Sequence, residues 1–421
     1  MERPSIAMIP SAYRNGIVYS VLPINGSADL DFTRATSATS FNATRVENDN
    51  EIQEVASNTP RLDYKGNGCP SLLLEPESTN LITYSEDFSQ GWLFNSSVIA
   101  NQAISPNGDY NSDEIPNSLQ RIAKNGASSI NIDNTFSIYV KLVNSDYFTL
   151  SSYKGTTDWV AATFDITNGV VTNEGVGIGS SVLDAKPTIE KLDNGYCRIS
   201  ITNNTSISAG INLQRVDNPT HSYSDYGVAD DTYADGYAYI WGAQLEPLSY
   251  TTSYIPTLGS IETRDAEELS KDGLSDYINS SEGVFYAEVK GLEEGGLTRS
   301  IQLTDSSGNN DRVAFYLTSN TNEIVGLINI GGSATSFTSS AEIQTEYNKI
   351  AIKWGYNNYA LWINGVEIDS DLTKGTFPLG TLTKINFNTN NFNNLPFYGN
   401  VRDLRVYTTA LTDEELTQLT S

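Results

Sequence analysis

Aromatic and acidic side chains crowd one loop, residues 217–236, and the strands that precede it. Sugar binding needs flat aromatic faces for the C–H surfaces of the ring, and amide or carboxylate groups for its hydroxyls. The candidate carbohydrate-binding residues are Tyr153, Trp159, Tyr223, Asp225 and Tyr226. The alternative interpretation is a surface loop or subunit contact built from ordinary turn residues, with Trp159 as an edge or core residue.

A second polar loop, residues 305–311, reads Asp-Ser-Ser-Gly-Asn-Asn-Asp. Carboxylates and carbonyls at the rim of a β-sandwich are suitable calcium ligands. Asp305 and Asp311 are therefore the candidate metal ligands. A hairpin tip explains the same Gly and Asn residues without a metal. No motif requires a cofactor, and calcium is the candidate ion.

Catalytic constellations are scarce. The sequence has one histidine, His221, in a Ser- and Asp-rich loop, so a convincing Ser-His-Asp set is lacking. A glycosidase built on β-strands would place two or three carboxylates on one face of a strand, to act as acid and nucleophile. The candidate strand at residues 286–290 carries only one, Glu288. No Gly-Lys-Ser/Thr motif for phosphate is present. We therefore predict that the protein is not an enzyme.

Composition and charge exclude or disfavour several other classes of protein. The 421 residues contain 25 Lys and Arg against 51 Asp and Glu, a net charge of −26 that disfavours nucleic acid as a partner. No segment reaches the roughly 20 apolar residues of a membrane span. The first ten residues lack the apolar run of an export signal, so we expect synthesis without one. Two cysteines, Cys69 and Cys197, exclude a disulfide-rich scaffold.

Alternation of apolar and polar residues runs through most of the sequence between turns rich in Gly and Asn. Clear examples are residues 136–142, 147–153, 237–245 and 349–354. Helical periodicity is confined to residues 411–419, where Thr412 and Glu415 have the spacing of a capping box. These patterns predict an all-β protein with two β-sandwich or jelly-roll domains, preceded by an extended N-terminal arm.

Shifts in pattern place the domain boundaries. The predicted organisation is an N-terminal attachment or oligomerisation arm at 1–80, a jelly roll at 81–255, a linker at 256–281 and a second sandwich at 282–421. The arm has few regular strands and several prolines. The linker is assigned because charge rises there and alternation stops.

Several motifs resemble known proteins. They are residues 9–13, 31–39, 60–64, 68–76, 79–81, 84–88, 239–246 and 254–257. The first six resemble the N-terminal module of tail-fibre or head-fibre proteins of tailed bacteriophages. The last two are similar to the end of a carbohydrate-binding-module-like jelly roll. Residues 349–354, 361–365 and 398–407 resemble a concanavalin A-like domain of the laminin-G or pentraxin type.

The resemblance implies a virion appendage that adheres to host-surface glycans without catalysis. The expected partners are other virion proteins, contacted through the arm, a host glycan, and further copies of the chain in a trimer or dimer. The expected location is the virion, with no membrane insertion. Three alternatives remain open: a purely structural capsid-decoration or adaptor protein, a polysaccharide depolymerase, and a bacterial surface lectin, which the expected absence of an export signal disfavours.

Overall fold

A computed structural model describes residues 2–34, 43–65, 69–93, 97–118, 121–124, 129–130, 133–177, 185–203, 207–208, 210–231, 235–293, 298–305, 310–319, 322–341, 344–389 and 395–421. Residues 35–39 and 68, which belong to the fibre-like motifs, lie outside these ranges. So do residues 306–309 of the candidate calcium loop and residues 232–234 of the aromatic loop.

Strands dominate the described residues. In chain order they are β1 (Ile6–Met8), β2 (Tyr13–Arg14), β3 (Ile17–Val18), β4 (Leu30–Arg34), β5 (Ala43–Val46), β6 (Ile52–Val55), β7 (Arg61–Asp63), β8 (Ser71–Leu74), β9 (Ser78–Asn80), β10 (Ile99–Ala103), β11 (Ser112–Ile115), β12 (Arg121–Lys124), β13 (Ser129–Ile130), β14 (Asn134–Val143), β15 (Tyr147–Tyr153), β16 (Trp159–Asp165), β17 (Val170–Val176), β18 (Thr188–Lys191), β19 (Cys197–Asn203), β20 (Ile207–Ser208), β21 (Gly210–Val216), β22 (Tyr237–Glu246), β23 (Glu262–Arg264), β24 (Glu267–Lys271), β25 (Gly283–Gly291), β26 (Arg299–Thr304), β27 (Arg312–Leu317), β28 (Glu323–Ile330), β29 (Ser333–Ala341), β30 (Asn348–Trp354), β31 (Tyr359–Ile363), β32 (Val366–Asp371), β33 (Lys384–Asn386) and β34 (Gly399–Tyr407). A 3₁₀ turn (Asp225–Gly227) and one helix, α1 (Asp413–Thr420), are the helical elements described. The all-β prediction is confirmed.

The chain divides into two compact units. Unit 1 comprises Met1–Thr39, Ala56–Pro76 and Asp265–Ser421, and unit 2 comprises Ser40–Val55 and Glu77–Arg264. The chain therefore passes from one unit to the other four times. Each unit is a β-sandwich with its own core.

Unit 1 is built from two sheets of described strands. One has the order β32-β31-β30-β25-β34-β8-β7, with β1 also paired to β34, and the other has the order β2-β3-β4-β24-β33-β26-β27-β28-β29. Alternation in β25 directs Phe285, Ala287 and Val289 into the core between the sheets. The ring of Phe285 lies 5.7 Å from that of Phe315 in β27.

Strands β1–β4, β7 and β8 of the N-terminal segment are part of this sandwich, whereas β5, β6 and β9 belong to unit 2, so the segment differs from the predicted arm at 1–80. Ile6 pairs with Val406, and Leu72 in β8 pairs with Val401, so both segments flank β34. Leu269 in β24 pairs with Phe32 in β4. The difference arises because strand partners lie about 240–400 residues away along the chain, where local pattern gives no information.

The predicted linker at 256–281 also contains strands. β23 pairs with β9 in unit 2, whereas β24 pairs with β4 and β33 in unit 1. Its polar sequence concealed them, because Arg264 and Glu267 are buried charged residues with partners. A buried charge at a core position looks like a solvent-exposed residue in a hydropathy pattern.

Four charged side chains form a buried cluster in unit 1, which we call the Glu267 cluster. The Glu267 carboxylate accepts hydrogen bonds from Arg34 Nη1 at 2.8 Å, Arg61 Nε at 2.8 Å and Arg61 Nη2 at 2.5 Å. It also accepts from the backbone N–H of Glu75 at 2.9 Å. The Glu75 carboxylate lies 2.8 Å from Arg61 Nη1. Each charge therefore has an opposite partner, which a buried ion pair needs.

Helix α1 covers the outer face of the β25–β34 sheet. Thr412 caps its N-terminus by accepting a hydrogen bond from the Glu415 N–H, and the Glu415 carboxylate accepts from the Thr412 N–H. Leu416 and Leu419 pack against side chains such as Trp362. The predicted capping box is therefore present. Among the described residues, no helix combines the length and apolar character needed to cross a bilayer.

Unit 2 has a six-stranded sheet, β10-β11-β22-β14-β19-β18, and a five-stranded sheet, β12-β21-β15-β16-β17, among the described residues. Apolar side chains from both sheets, such as Ile138 and Leu150, share one core. Additional segments cover the outer faces. Hairpin β5–β6 packs on the six-stranded sheet through Ile52, which joins an aromatic group that includes Tyr139 and Trp241.

We predict that Glu267→Gln lowers the free energy of unfolding by about 3–5 kcal/mol, because it removes the buried negative charge that the guanidinium groups of Arg34 and Arg61 share and leaves the Glu75 carboxylate as the one acidic partner in the cluster. Chemical denaturation followed by circular dichroism measures the change. Glu268→Gln is the matched control, since Glu268 is the exposed neighbour on the same strand, and we expect a change within about 0.5 kcal/mol. Equal effects of the two substitutions would contradict a structural role for the cluster.

We also predict that residues 282–421 do not fold when expressed alone. That fragment lacks β1–β4, β7, β8 and β24, which supply strands to both sheets of unit 1. Amide resonances in a ¹H–¹⁵N spectrum should be poorly dispersed for the fragment and well dispersed for the full chain. A well-dispersed spectrum of the fragment would show that the N-terminal strands are dispensable.

Candidate functional site

The aromatic loop covers the outer face of the five-stranded sheet of unit 2. Ser151 Oγ and Asn212 Nδ2 donate to the carbonyl oxygen of Tyr226 at 3.0 and 3.1 Å. Gln214 donates to the carbonyl of Ala229 and accepts from its N–H, both at 3.0 Å. Polar side chains that alternate outward from the sheet are therefore satisfied by the loop, which holds it in place.

Trp159 and Tyr223 form the inner layer beneath this loop. Their ring centroids lie 5.8 Å apart, and Trp159 is only 8% exposed. Tyr223 Oη lies 2.8 Å from Thr163 Oγ1, and burial raises the pKa of Tyr223 to about 12. Trp159 is thus a buried residue at the start of β16, an interior strand of its sheet, and its role in sugar contact stays a prediction.

Tyr153 and Tyr226 form the outer layer, which we call the Tyr153–Tyr226 surface. Their rings meet edge to face with centroids 5.2 Å apart, and Tyr226 is 40% exposed. Asp225 is the exposed residue directly before Tyr226. The structure therefore brings all five predicted residues to one face, but only this part of the group is accessible to a ligand.

The backbone at Tyr226 is left-handed, with φ of 64°, which non-glycine residues seldom adopt. Gly227 explains how the turn comes so close to the sheet. A Cβ at Gly227 would lie 2.8 Å from Ser151 Cβ and 3.0 Å from Trp159 Cε3. The turn thus needs glycine at position 227. The preceding residue, Tyr226, has its side chain exposed to solvent.

The candidate calcium ligands lie at one loop of unit 1. Asp311 Oδ1 accepts a hydrogen bond from the Gly331 N–H at 2.7 Å, and Asp305 directly follows β26. Within the described residues, no group of three or more His, Cys, Asp or Glu side chains is arranged to hold a metal ion. The calcium site stays a prediction.

A polar cleft on the other face of unit 2 is the feature that sequence reasoning missed; we call it the Glu86 cleft. It consists of two hollows of about 550 and 460 Å³ that share Glu54, Glu86 and Pro256. Its acidic lining residues are Glu54, Glu86, Asp87, Asp109, Asp113 and Glu262. This volume is in the range of small-ligand sites.

Glu86 lies where the two hollows join. Its carboxylate accepts hydrogen bonds from Tyr254 Oη at 2.8 Å and from Asn111 Nδ2 at 2.9 Å. Burial raises the pKa of Glu86, and the negative charges of Glu54 and Asp109 raise it further. The protein therefore holds a carboxyl group whose ionised form is disfavoured.

Asp113 shapes the adjoining wall. Its two carboxylate oxygens accept from the backbone N–H groups of Phe88, at 2.9 Å, and Asn101, at 3.0 Å. These bonds join β11 to strand β10 and to the loop around Phe88, and both segments contribute residues to the lining of the cleft. Several separate chain segments thus build the site, so no contiguous sequence motif predicts it. The available signal was the acidic pair Glu86-Asp87 between the aromatic residues Tyr84 and Phe88.

Comparison with known proteins supports the description of the C-terminal sandwich. Residues 289–417 match a laminin-G-type family of the concanavalin A-like lectin/glucanase superfamily. No curated protein matches the chain. The matched region confirms the concanavalin A-like prediction for that part of the chain.

Similar solved structures include the carbohydrate-binding module of the Ruminococcus gnavus IT-sialidase bound to α2,3-sialyllactose, at 20% identity over 34% of this chain and 83% of that chain, with a TM-score of 0.29. A heptameric SAP-like pentraxin from Limulus polyphemus matches at 13% identity over 34% of this chain and 71% of that chain, with a TM-score of 0.29. Similarity at this level carries no argument about ligand or activity.

We predict that Glu86→Gln raises the melting temperature at pH 7. A carboxyl group whose folded-state pKa is raised destabilises the fold when it is ionised, so the penalty is present at neutral pH and disappears as the pH falls below the ordinary value of 4.5. The difference from the parent protein should therefore shrink between pH 7 and pH 4 in thermal unfolding.

Glu77→Gln is the control, because Glu77 is an exposed acid of the same unit. It should change the melting temperature little at either pH. A loss of stability in Glu86→Gln at pH 7, or a gain of the same size at both pH values, would contradict the assignment.

Proposed function

We propose that this protein is a non-enzymatic adhesion component of a bacteriophage virion, a tail fibre or head fibre that binds host-surface glycans through the Tyr153–Tyr226 surface. The fibre-like motifs of the sequence and the concanavalin A-like C-terminal region support this role. Contacts to other virion proteins and assembly into a trimer or dimer belong to the same proposal. Repeated copies would add avidity to weak individual contacts.

The conformation of Tyr226 carries the proposal. A left-handed backbone at a large aromatic residue costs about 1–3 kcal/mol and persists where the surroundings enforce it. Here the Tyr226 N–H donates to the carbonyl of Thr156 at 3.1 Å, and its own carbonyl accepts from Ser151 and Asn212. This arrangement keeps a half-exposed ring beside Tyr153 and Asp225, which suits stacking on a sugar and accepting its hydroxyl protons.

The surroundings of His221 support a non-enzymatic role. Its imidazole Nε2 lies 3.1 Å from Thr163 Oγ1, and its ring packs edge to face on Tyr223 with centroids 5.0 Å apart. Burial lowers the pKa of His221. The hydroxyl that it contacts belongs to a fully buried residue of β16, out of reach of a polymeric substrate.

We predict that Tyr226→Gly weakens binding to an array of bacterial surface polysaccharides by about tenfold, the effect of losing about 1.4 kcal/mol of stacking. Glycine adopts the left-handed conformation without strain, so stability should change by no more than about 1 kcal/mol. Thermal unfolding and array binding are measured on the same preparations.

Tyr110→Ala is the matched control, since Tyr110 is an exposed tyrosine of the same unit at 63% exposure. It should leave binding unchanged. Equal binding by the parent and Tyr226→Gly proteins would remove the Tyr153–Tyr226 surface from the proposal. Silence of the parent protein on the array would favour the structural alternative, and release of reducing sugar would favour a depolymerase.

A further inference from the structure

The ring of Tyr153 lies over the backbone of Gly210. The two residues are cross-strand partners in β15 and β21. A Cβ at Gly210 would lie 2.1 Å from Tyr153 Cζ, 2.2 Å from Cε2 and 2.5 Å from Oη. Carbon atoms that are not bonded to one another pack at about 3.5–4.0 Å. The ring therefore occupies the space that any side chain at position 210 would need.

On its other side Tyr153 faces a filled part of the sheet. Its cross-strand partner in β16 is Trp159, which is buried and packs against Tyr223. The turn at Gly227 covers Trp159 as well, since a Cβ at Gly227 would lie 3.0 Å from Trp159 Cε3. The Tyr153 ring thus extends from β15 across Gly210, which is itself buried.

The second ring of the surface is placed by different contacts. Ser151 and Asn212 donate to the carbonyl of Tyr226, so the loop backbone is held without any contribution from the Tyr153 ring. The two rings meet with centroids 5.2 Å apart and planes at 70°. A shift of the Tyr153 ring would therefore change the spacing of the two rings while the backbone bonds of the loop remain.

We infer that Gly210 is a positioning residue of the Tyr153–Tyr226 surface, because the lack of a side chain at position 210 holds the Tyr153 ring where a glycan meets it together with Tyr226. The inference rests on the proposed function for its ligand class. The backbone of Gly210 is that of a strand and not left-handed, so conformation does not require glycine there. A ring that is already in place does not have to be ordered when the glycan binds.

The test is a double-mutant cycle in the full chain, with Gly210→Ala, Tyr153→Ala and the double variant. Gly210→Ala should lower the melting temperature of the parent protein, because the methyl group displaces the ring. It should not lower the melting temperature of Tyr153→Ala, where the space is empty and alanine restricts the unfolded chain more than glycine does. Equal decreases in both backgrounds would show that the Tyr153 ring does not exclude a side chain at position 210.

Glycan binding is the readout that a purely structural role would not move. At a temperature where every variant is folded, Gly210→Ala and Tyr153→Ala should each weaken binding to the array of bacterial surface polysaccharides by about tenfold. The double variant should lose no more than either, because both changes remove the same ring from the same place. Tyr153→Phe keeps the ring and should restore most of the binding. Gly155→Ala is the matched control, since a Cβ at Gly155 meets no atom within 4 Å, and it should bind like the parent.

The outcomes separate Gly210 from the proposed function. If Tyr226→Gly weakens binding while Gly210→Ala binds like the parent, the positioning role fails and the proposed function stands. If the parent protein binds no polysaccharide of the array, the proposed function fails and the positioning role fails with it. Additive losses in the double variant would give position 210 an effect independent of Tyr153 and would overturn the inference.

Discussion

The Glu267 cluster is the interaction on which the architecture of unit 1 depends. A single buried carboxylate accepts from Arg34, Arg61 and the backbone of Glu75, so it joins four separate strands or strand ends. These residues lie close in sequence to the four points where the chain leaves or re-enters unit 1. Their charges need one another because burial without a partner would be prohibitively costly. The cluster thus holds together, within unit 1, the residues next to the points at which the chain leaves and re-enters that unit.

Unit 2 also has buried polar side chains that hydrogen-bond to one another where the chain enters and leaves the unit. Arg264, the last residue of this unit, donates to Thr252 Oγ1, and the Glu246 carboxylate accepts from Ser78 Oγ and from the Thr252 N–H. Buried polar groups again secure the segments at the unit's boundary. The Tyr153–Tyr226 surface and the Glu86 cleft both form where a covering segment meets strands of a sheet. Rigid sheets therefore position loops that carry the chemistry.

The sequence was informative where structure is local. The strands around Ile138, the hairpin near Trp354, and the capping box of Thr412 and Glu415 follow from periodicity and spacing, and the structure confirms them. The tyrosines at 153 and 226 were also identifiable, because aromatic residues in a turn-rich loop stand out. The division of the aromatic group into a buried layer, Trp159 and Tyr223, and an outer layer, Tyr153 and Tyr226, was not predictable, since it depends on how the loop packs.

What sequence reasoning missed has a common physical cause. The strands of the N-terminal segment find partners hundreds of residues away, and buried arginines and glutamates disguise core positions as solvent-exposed ones. The Glu86 cleft could not be predicted for the same reason, because its lining residues Trp241, Asn111 and Glu54 come from segments that are distant in the sequence. Non-local pairing and compensated burial of charge leave no periodic signal.

The position of β34 has a consequence for biosynthesis. This strand is the last described strand of unit 1 in chain order, yet it pairs with β25, β8 and β1 in the interior of its sheet. A nascent chain on the ribosome would hold those three strands with unsatisfied edges until residues 399–407 have emerged. Unit 1 therefore cannot close before that point of synthesis, and the open edges make the unfinished chain a client for chaperones.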